Sequence, residues 1–370
     1  MNANSIIYQI FPRNYSKNHS FQSIEKDLHR IKDLGIDIIY LMPIHEIGIK
    51  NRKGSYGSPY AIKDYYSIDA FLGNLSDFQS LVSKIHELGM KIVLDMVFNH
   101  TSPDNVLLSE HEDYYYHRNG KLSNRVGDWS DIIDLDIYKE ETQLYLIDVL
   151  KYWVSLGVDG FRFDVASMIP LSFFKRARKE LGKDIIFIGE SIDPGFVSYL
   201  KSIGEVSTPD EEMYPTFDSL YNYNYFRSFI RYLNHQCELD ELINLINIDG
   251  VNQRLLCLEN HDNDRISSIL DKDKLEKWLD FFSFIKGQVF IYAGQEIGIK
   301  HKPALFELDP IDWSNVDMDI FKIYKDYINK KKTQKEIIYQ HIDITSKNIV
   351  KVIVKYIDNV EESKEFVLPQ

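Results

Sequence analysis

Two cysteines among 370 residues, Cys237 and Cys257, are too few for a disulfide framework, and their separation is not that of a metal-binding pair. Both read as reduced, structural thiols. No apolar run approaches the roughly 20 residues that a membrane-spanning helix needs, so no membrane partner is expected. The stretch Met1 to Phe11 has no basic head, long apolar region and small-residue cleavage site, and reads instead as a first strand. A cytoplasmic location is the expectation. Positive charge is in deficit: 43 Lys and Arg against 56 Asp and Glu leave a formal net charge of -13. Such a balance argues against nucleic acid, whose phosphates demand a basic surface, and gives no reason for an anionic lipid partner. A neutral substrate is indifferent to it. Internal repeats and low-complexity linkers are also missing, and the lysine run Lys330 to Lys332 reads as a solvated helix end.

What is present is a globular composition, 44% hydrophobic and 27% charged, able to bury a sizeable core. Short β-branched runs recur at Ile6 to Phe11, Ile36 to Met42, Lys91 to Val97, Val158 to Asp164, Ile185 to Gly189, Arg254 to Leu258 and Val289 to Tyr292. A further strand is expected between Glu212 and Phe217. Segments with helical spacing, such as Leu75 to Leu88 and Glu141 to Leu156, lie between most of these runs. Strands alternating with helices imply right-handed crossovers and a parallel sheet, and eight of them predict a closed (β/α)8 barrel. The expected organisation is a barrel over residues 1–100 and 139–336, an insertion over 101–138 and a small β unit over 337–370. That insertion carries Tyr114, Tyr115, Tyr116 and Trp129, and loops of such length are usually functional. The tail alternates from Ile349 to Tyr356 and is too short to be stable unless it packs on the barrel.

In such a barrel the chemistry sits at the C-terminal ends of the strands. Four ends carry polar residues. Strand three ends Asp95-Met96-Val97-Phe98-Asn99-His100, strand four Gly160-Phe161-Arg162-Phe163-Asp164, strand five Ile188-Gly189-Glu190-Ser191, and strand seven Glu259-Asn260-His261-Asp262. Residues at i and i+2 of a strand point to one side, so Arg162 and Asp164 share a face. A guanidinium there favours an ionised Asp164, whereas Glu190, with no arginine in its own motif, should hold its proton. Each residue has an ordinary structural account when taken alone: a buried Arg162/Asp164 pair, a core His100, an exposed Glu190, an N-cap Asp262. Converging on one mouth, they suit glycoside hydrolysis or transfer. One carboxylate attacks an oxocarbenium-like centre while a second, protonated carboxyl group protonates the leaving oxygen. Asp262 could accept from ring hydroxyls, and His100 and His261 could donate to them. A metal reading of the histidines and acids stays open, without an HxH or HExxH spacing behind it.

As a set, DMVFNH at Asp95 to His100, GFRFDVA at Gly160 to Ala166, IGES at Ile188 to Ser191 and ENHDNDR at Glu259 to Arg265 resemble the alpha-amylase family, glycoside hydrolase family 13. The resemblance implies Asp164 as nucleophile, Glu190 as acid/base and Asp262 as a third carboxylate that stabilises the transition state. It also implies that Arg162, His100 and His261 line the sugar site, with Tyr60 as an aromatic platform. The substrate expected is an alpha-glucan or malto-oligosaccharide, with no cofactor, although calcium is possible near Asn99 and Asp134. The insertion corresponds to a reduced B domain of that family. Ala61 after the platform tyrosine departs from many exo-acting alpha-glucosidases, and Val165-Ala166-Ser167 lacks a lysine-histidine pair common in alpha-amylases. Two other outcomes are carried: a transglycosylase using the same intermediate, and a non-catalytic carbohydrate-binding relative.

Overall fold

The computed structural model describes residues 1, 3–126, 129–248 and 254–370. Eight strands run parallel in one sheet: β1 (Ile6–Ile10), β2 (Ile38–Leu41), β3 (Lys91–Met96), β4 (Gly160–Phe163), β5 (Ile186–Gly189), β6 (Ser219–Leu220), β7 (Leu255–Cys257) and β8 (Gln288–Tyr292). Their spatial order is β6-β5-β4-β3-β2-β1-β8-β7. A parallel bridge from Leu220 to Arg254 joins the two outer members and closes the ring. The expected (β/α)8 barrel is therefore borne out.

The pleat divides each strand between two cores. Ile7, Ile38, Tyr40, Val93, Ile188, Leu255 and Phe290 fill the barrel interior, while Ile6, Tyr8, Ile10, Phe161 and Phe163 face the surrounding helices. Those helices form where apolar residues repeat at helical spacing. Between Leu75 and Glu87 the buried positions are Phe78, Leu81, Val82 and Ile85, and Asn74 and Asp77 form a reciprocal capping box at its start. Crossovers are tight where strands β4 and β5 meet: a Cβ on Gly160 would lie 2.5 Å from the Ile186 backbone oxygen, so only glycine fits there.

Two expectations need correction. The sixth strand is Ser219–Leu220, whereas Asp210–Met213 is a short helix and the 212–217 stretch contributes no strand. Three acids at the first turn favour that helix, and Pro215 cannot donate to a ladder. Lys331 is not a solvated helix end. On the helix Met318–Thr333 it is fully buried, donating to the Ile285 carbonyl and, at 3.1 Å, to Gln334 Oε1. Burial lowers its pKa to about 7, well below the ordinary lysine value. Between that value and about 10.4 the unfolded chain binds a proton that the folded chain does not, so stability rises with pH over this window. In urea unfolding, Lys331→Met should flatten that slope and add about 1–3 kcal/mol at pH 7. An unchanged pH dependence would contradict the assignment.

The tail forms an antiparallel sheet of β9 (Ile337–Ser346), β10 (Ile349–Tyr356) and β11 (Glu361–Val367). Val350, Val352 and Val354 point into the same core as the helices, and Phe366 packs on Phe281 and Phe284. Over 101–138 the chain makes short pieces: Thr101 pairs with Ile133, His100 with Asp134, and Tyr115 and Leu135 are buried. Among the described residues no helix is long and apolar enough to cross a membrane.

Candidate active site

Strand β4 sets the geometry. With Phe161 and Phe163 turned outward, Arg162 and Asp164 both enter the barrel mouth, and register places Arg162 beside Asp95 of β3. The guanidinium is fully buried. Its Nη1 donates to Asp95 Oδ1 at 2.8 Å and to Asp164 Oδ1 at 3.1 Å, and its Nη2 lies 3.0 Å from Glu190 Oε2. Glu190 thus does have an arginine partner, contrary to the expectation from its own motif; the partner comes from the neighbouring strand. Val165, held at φ 37°, turns its N–H onto Glu190 Oε2 at 2.7 Å. A left-handed β-branched residue is strained, and here the strained backbone supplies a donor to the Glu190 carboxylate.

The expected protonation of Asp164 is also revised. Burial, and next the Glu190 carboxylate, push its pKa well above the ordinary range, and the opposing pull of Arg162 is smaller. Three carboxylates around one guanidinium leave excess negative charge in a dry site, which disfavours the ionised form of Asp164. Asp262 lies across the mouth, half exposed, with Lys302 donating to its backbone oxygen at 2.9 Å.

The aromatic and imidazole groups interlock. Tyr60 donates to Asp95 Oδ2 at 3.0 Å, stands 2.7 Å from His261 Nε2, and stacks on that ring with centroids 5.4 Å apart. Gln9 Nε2 approaches His261 Nδ1 at 3.0 Å; with Gln9 donating there, His261 carries its proton on Nε2, between Tyr60 and Asp262. Burial lowers the pKa of His261 to about 4, Arg162 adding to it, and burial lowers that of His100 likewise to about 4. Both rings are neutral near pH 7.

These groups border a cavity of about 300 Å³ whose walls include Tyr60, His100, Asp164, Glu190, His261 and Asp262. Asp164, Glu190, Asp262, His100, His261 and Tyr60, the site residues expected from the sequence, thus share one cavity, with Arg162 buried beside the acids, whereas Tyr114, Tyr115 and Tyr116 of the insertion are not among its walls. Trp129 of the aromatic insertion lines its outer wall, whereas Phe306 and a Lys53–Asp131 ion pair at 2.7 Å were not foreseen, coming from loops with no periodic pattern. Tyr40, which donates to Asp95 at 2.6 Å, was hidden within an ordinary strand.

At the position considered for calcium, Asn99 Oδ1 and Asp134 Oδ1 are buried acceptors without a hydrogen-bond partner. Two such oxygens fall short of the six to eight that calcium takes. Arg125 already supplies a positive charge, its Nη1 3.2 Å and its backbone N–H 2.8 Å from Asp134 Oδ2. Among the described residues no group of three or more His, Cys, Asp or Glu is placed to hold a metal. Among the described residues, Asn99 and Asp134 alone do not make a calcium cage.

A family model described as the alpha-amylase catalytic domain matches residues 9–131 and 126–349. This chain belongs to the alpha-amylase family. Among solved structures it is similar to an alpha-amylase from Lactobacillus plantarum, 38% identical with a TM-score of 0.90, covering 95% of this chain and 86% of that one. A noncanonic maltogenic alpha-amylase from Thermotoga neapolitana is 33% identical with a TM-score of 0.86, covering 99% and 86% of the two chains. Among curated relatives, a probable oligo-1,6-glucosidase 3 of Bacillus subtilis is 24% identical over 83% of this chain and 68% of its own length. An alpha-1,4-glucan:maltose-1-phosphate maltosyltransferase of Picrophilus torridus is 31% identical over 50% of this chain and 32% of its own. Membership of the family makes the chain a glycoside hydrolase by kind.

Proposed function

We propose that this family member is a retaining alpha-glycosidase acting on alpha-glucans or malto-oligosaccharides. The observation that carries the proposal is the grip of a single buried guanidinium on both Asp164 and Glu190 at the floor of a sugar-sized cavity. In the first step Asp164 attacks the anomeric carbon, the glycosidic C–O bond breaks, and Glu190 passes its proton to the leaving oxygen. This step needs the proton on Glu190, and positive charge growing at the sugar favours an ionised Asp164. In the second step Glu190 takes a proton from water, whose oxygen displaces Asp164. Asp262 accepts hydrogen bonds from the ring hydroxyls, His261 and His100 donate to them, and Tyr60 stacks on the apolar sugar face. No cofactor takes part in this scheme. A cytoplasmic location belongs to the same reading and is supported by two unpaired cysteines.

Retention is the test. NMR of fresh hydrolysis products from maltotetraose should show the alpha anomer first, before mutarotation, and a beta product would refute the mechanism. The similarity to a maltosyltransferase favours a second outcome in which a sugar hydroxyl replaces water. Products longer than the substrate, formed from maltotriose, would identify transfer.

A further inference from the structure

Glu190 has two oxygens in different surroundings. Oε2 is occupied by the Val165 N–H and the Arg162 guanidinium, which leaves Oε1 as the oxygen able to carry the transferable proton. Facing Oε1 at 3.2 Å is the hydroxyl of Tyr223. That hydroxyl is itself met at 3.0 Å by Asn260 Nδ2. The amide cannot be turned round, because Asn260 Oδ1 accepts from the Asp262 backbone N–H at 2.9 Å, a donor with no alternative role. Asn260 therefore donates to Tyr223, and the tyrosine's own proton points at Glu190. Burial and the nearby carboxylate push the Tyr223 pKa well up, so the hydroxyl stays protonated. The ring is delivered by Asn222, which sits at φ 52° after β6, caps the helix Tyr223–Leu233 and donates its N–H to Ser191, the neighbour of Glu190.

We infer that Tyr223, oriented by Asn260, is a positioning residue for proton transfer by Glu190: its hydroxyl holds Oε1 and strengthens its hydrogen bond as that oxygen loses its proton to the leaving group. The inference rests on the glycosidase reading and deepens it. A donor aimed at charge that develops during reaction stabilises the transition state more than the ground state. Its contribution must therefore grow with the leaving group's need for a proton.

Leaving-group dependence separates this role from sugar binding or simple support. The test compares kcat/KM of wild type and Tyr223→Phe on maltopentaose and on 2-chloro-4-nitrophenyl maltotrioside, whose phenolate leaves without full protonation. kcat/KM covers only the steps up to the glycosyl-enzyme, so the shared second step does not enter. Loss of the hydroxyl should lower kcat/KM about 10- to 100-fold on maltopentaose and less than about 3-fold on the aryl glycoside. Equal losses on both would overturn the inference, as would no loss on either. The ring is kept in Tyr223→Phe, and an unchanged thermal midpoint verifies the fold. If wild type cleaves neither compound the glycosidase reading itself falls and the inference with it, an outcome distinct from those seen with an active wild type.

Discussion

Asp164→Asn is expected to reduce turnover of malto-oligosaccharides by about 10⁴-fold or more while leaving the protein folded. An amide is nearly the same size as the carboxyl group and can still accept from Arg162, whose Nη1 lies 3.1 Å from Oδ1, so the packing of the mouth is retained. What disappears is the lone nucleophile, since a carboxamide oxygen does not form a stable bond to the anomeric carbon. The wild-type group is buried beside other acids and its pKa is raised by that burial, which means the folded chain bears a cost for keeping it. Removing the charge should therefore leave the thermal midpoint unchanged or slightly higher, the usual sign of an acid held for function at the expense of stability. Activity assays paired with calorimetry check both halves. Activity within tenfold of wild type would remove Asp164 from the role of nucleophile.

Arg162→Leu should be the most destabilising single change at the site, by about 3–5 kcal/mol at pH 7. The guanidinium contacts Asp95, Asp164 and Glu190 together, and Asp95 is fully buried. Leucine fills part of the volume but leaves three acids facing one another in a dry barrel. The pKa values of Asp95 and Asp164, already raised by burial, would lose the opposing pull of the guanidinium and climb further above the unfolded value of about 3.9. Raised acid pKa values cost stability above the unfolded pKa and nothing well below it, so the variant's deficit should shrink as pH falls toward 4. Urea unfolding at several pH values measures this directly. A deficit below about 1 kcal/mol at pH 7, or one that does not vary with pH, would mean that water or rearranged donors replace the arginine.

Much of the site is legible in the chain because it is local. Alternation around Gly160 to Asp164 puts Phe161 and Phe163 on one face and Arg162 and Asp164 on the other, and the pleat obeys it. Polar residues at the ends of apolar runs mark strands three, four, five and seven. Strand six escaped the same logic since a two-residue strand has no period to detect, and the aromatic stretch before it, interrupted by Pro215, imitated one. Lys331 was misjudged for a related reason: a lysine at a helix C-terminus normally reaches water, and only the Ile285 carbonyl opposite it explains its burial.

By itself, then, the sequence determined the alternation that predicts the barrel, seven of its eight strands and the carboxylates and histidines at their ends, all consequences of periodicity within about ten residues. Tertiary structure decided how those groups share charge. Arg162 reaches across to Asp95, 67 positions away, and to Glu190 on the next strand, while Tyr223 meets Glu190 from a further strand end and is itself met by Asn260 from another. Protonation in a buried site depends on the sum of every charge and donor within a few ångströms and on the exclusion of water. No spacing along the chain encodes that sum, so the state of Asp164 and the partners of Glu190 emerged only when the strands closed into a ring.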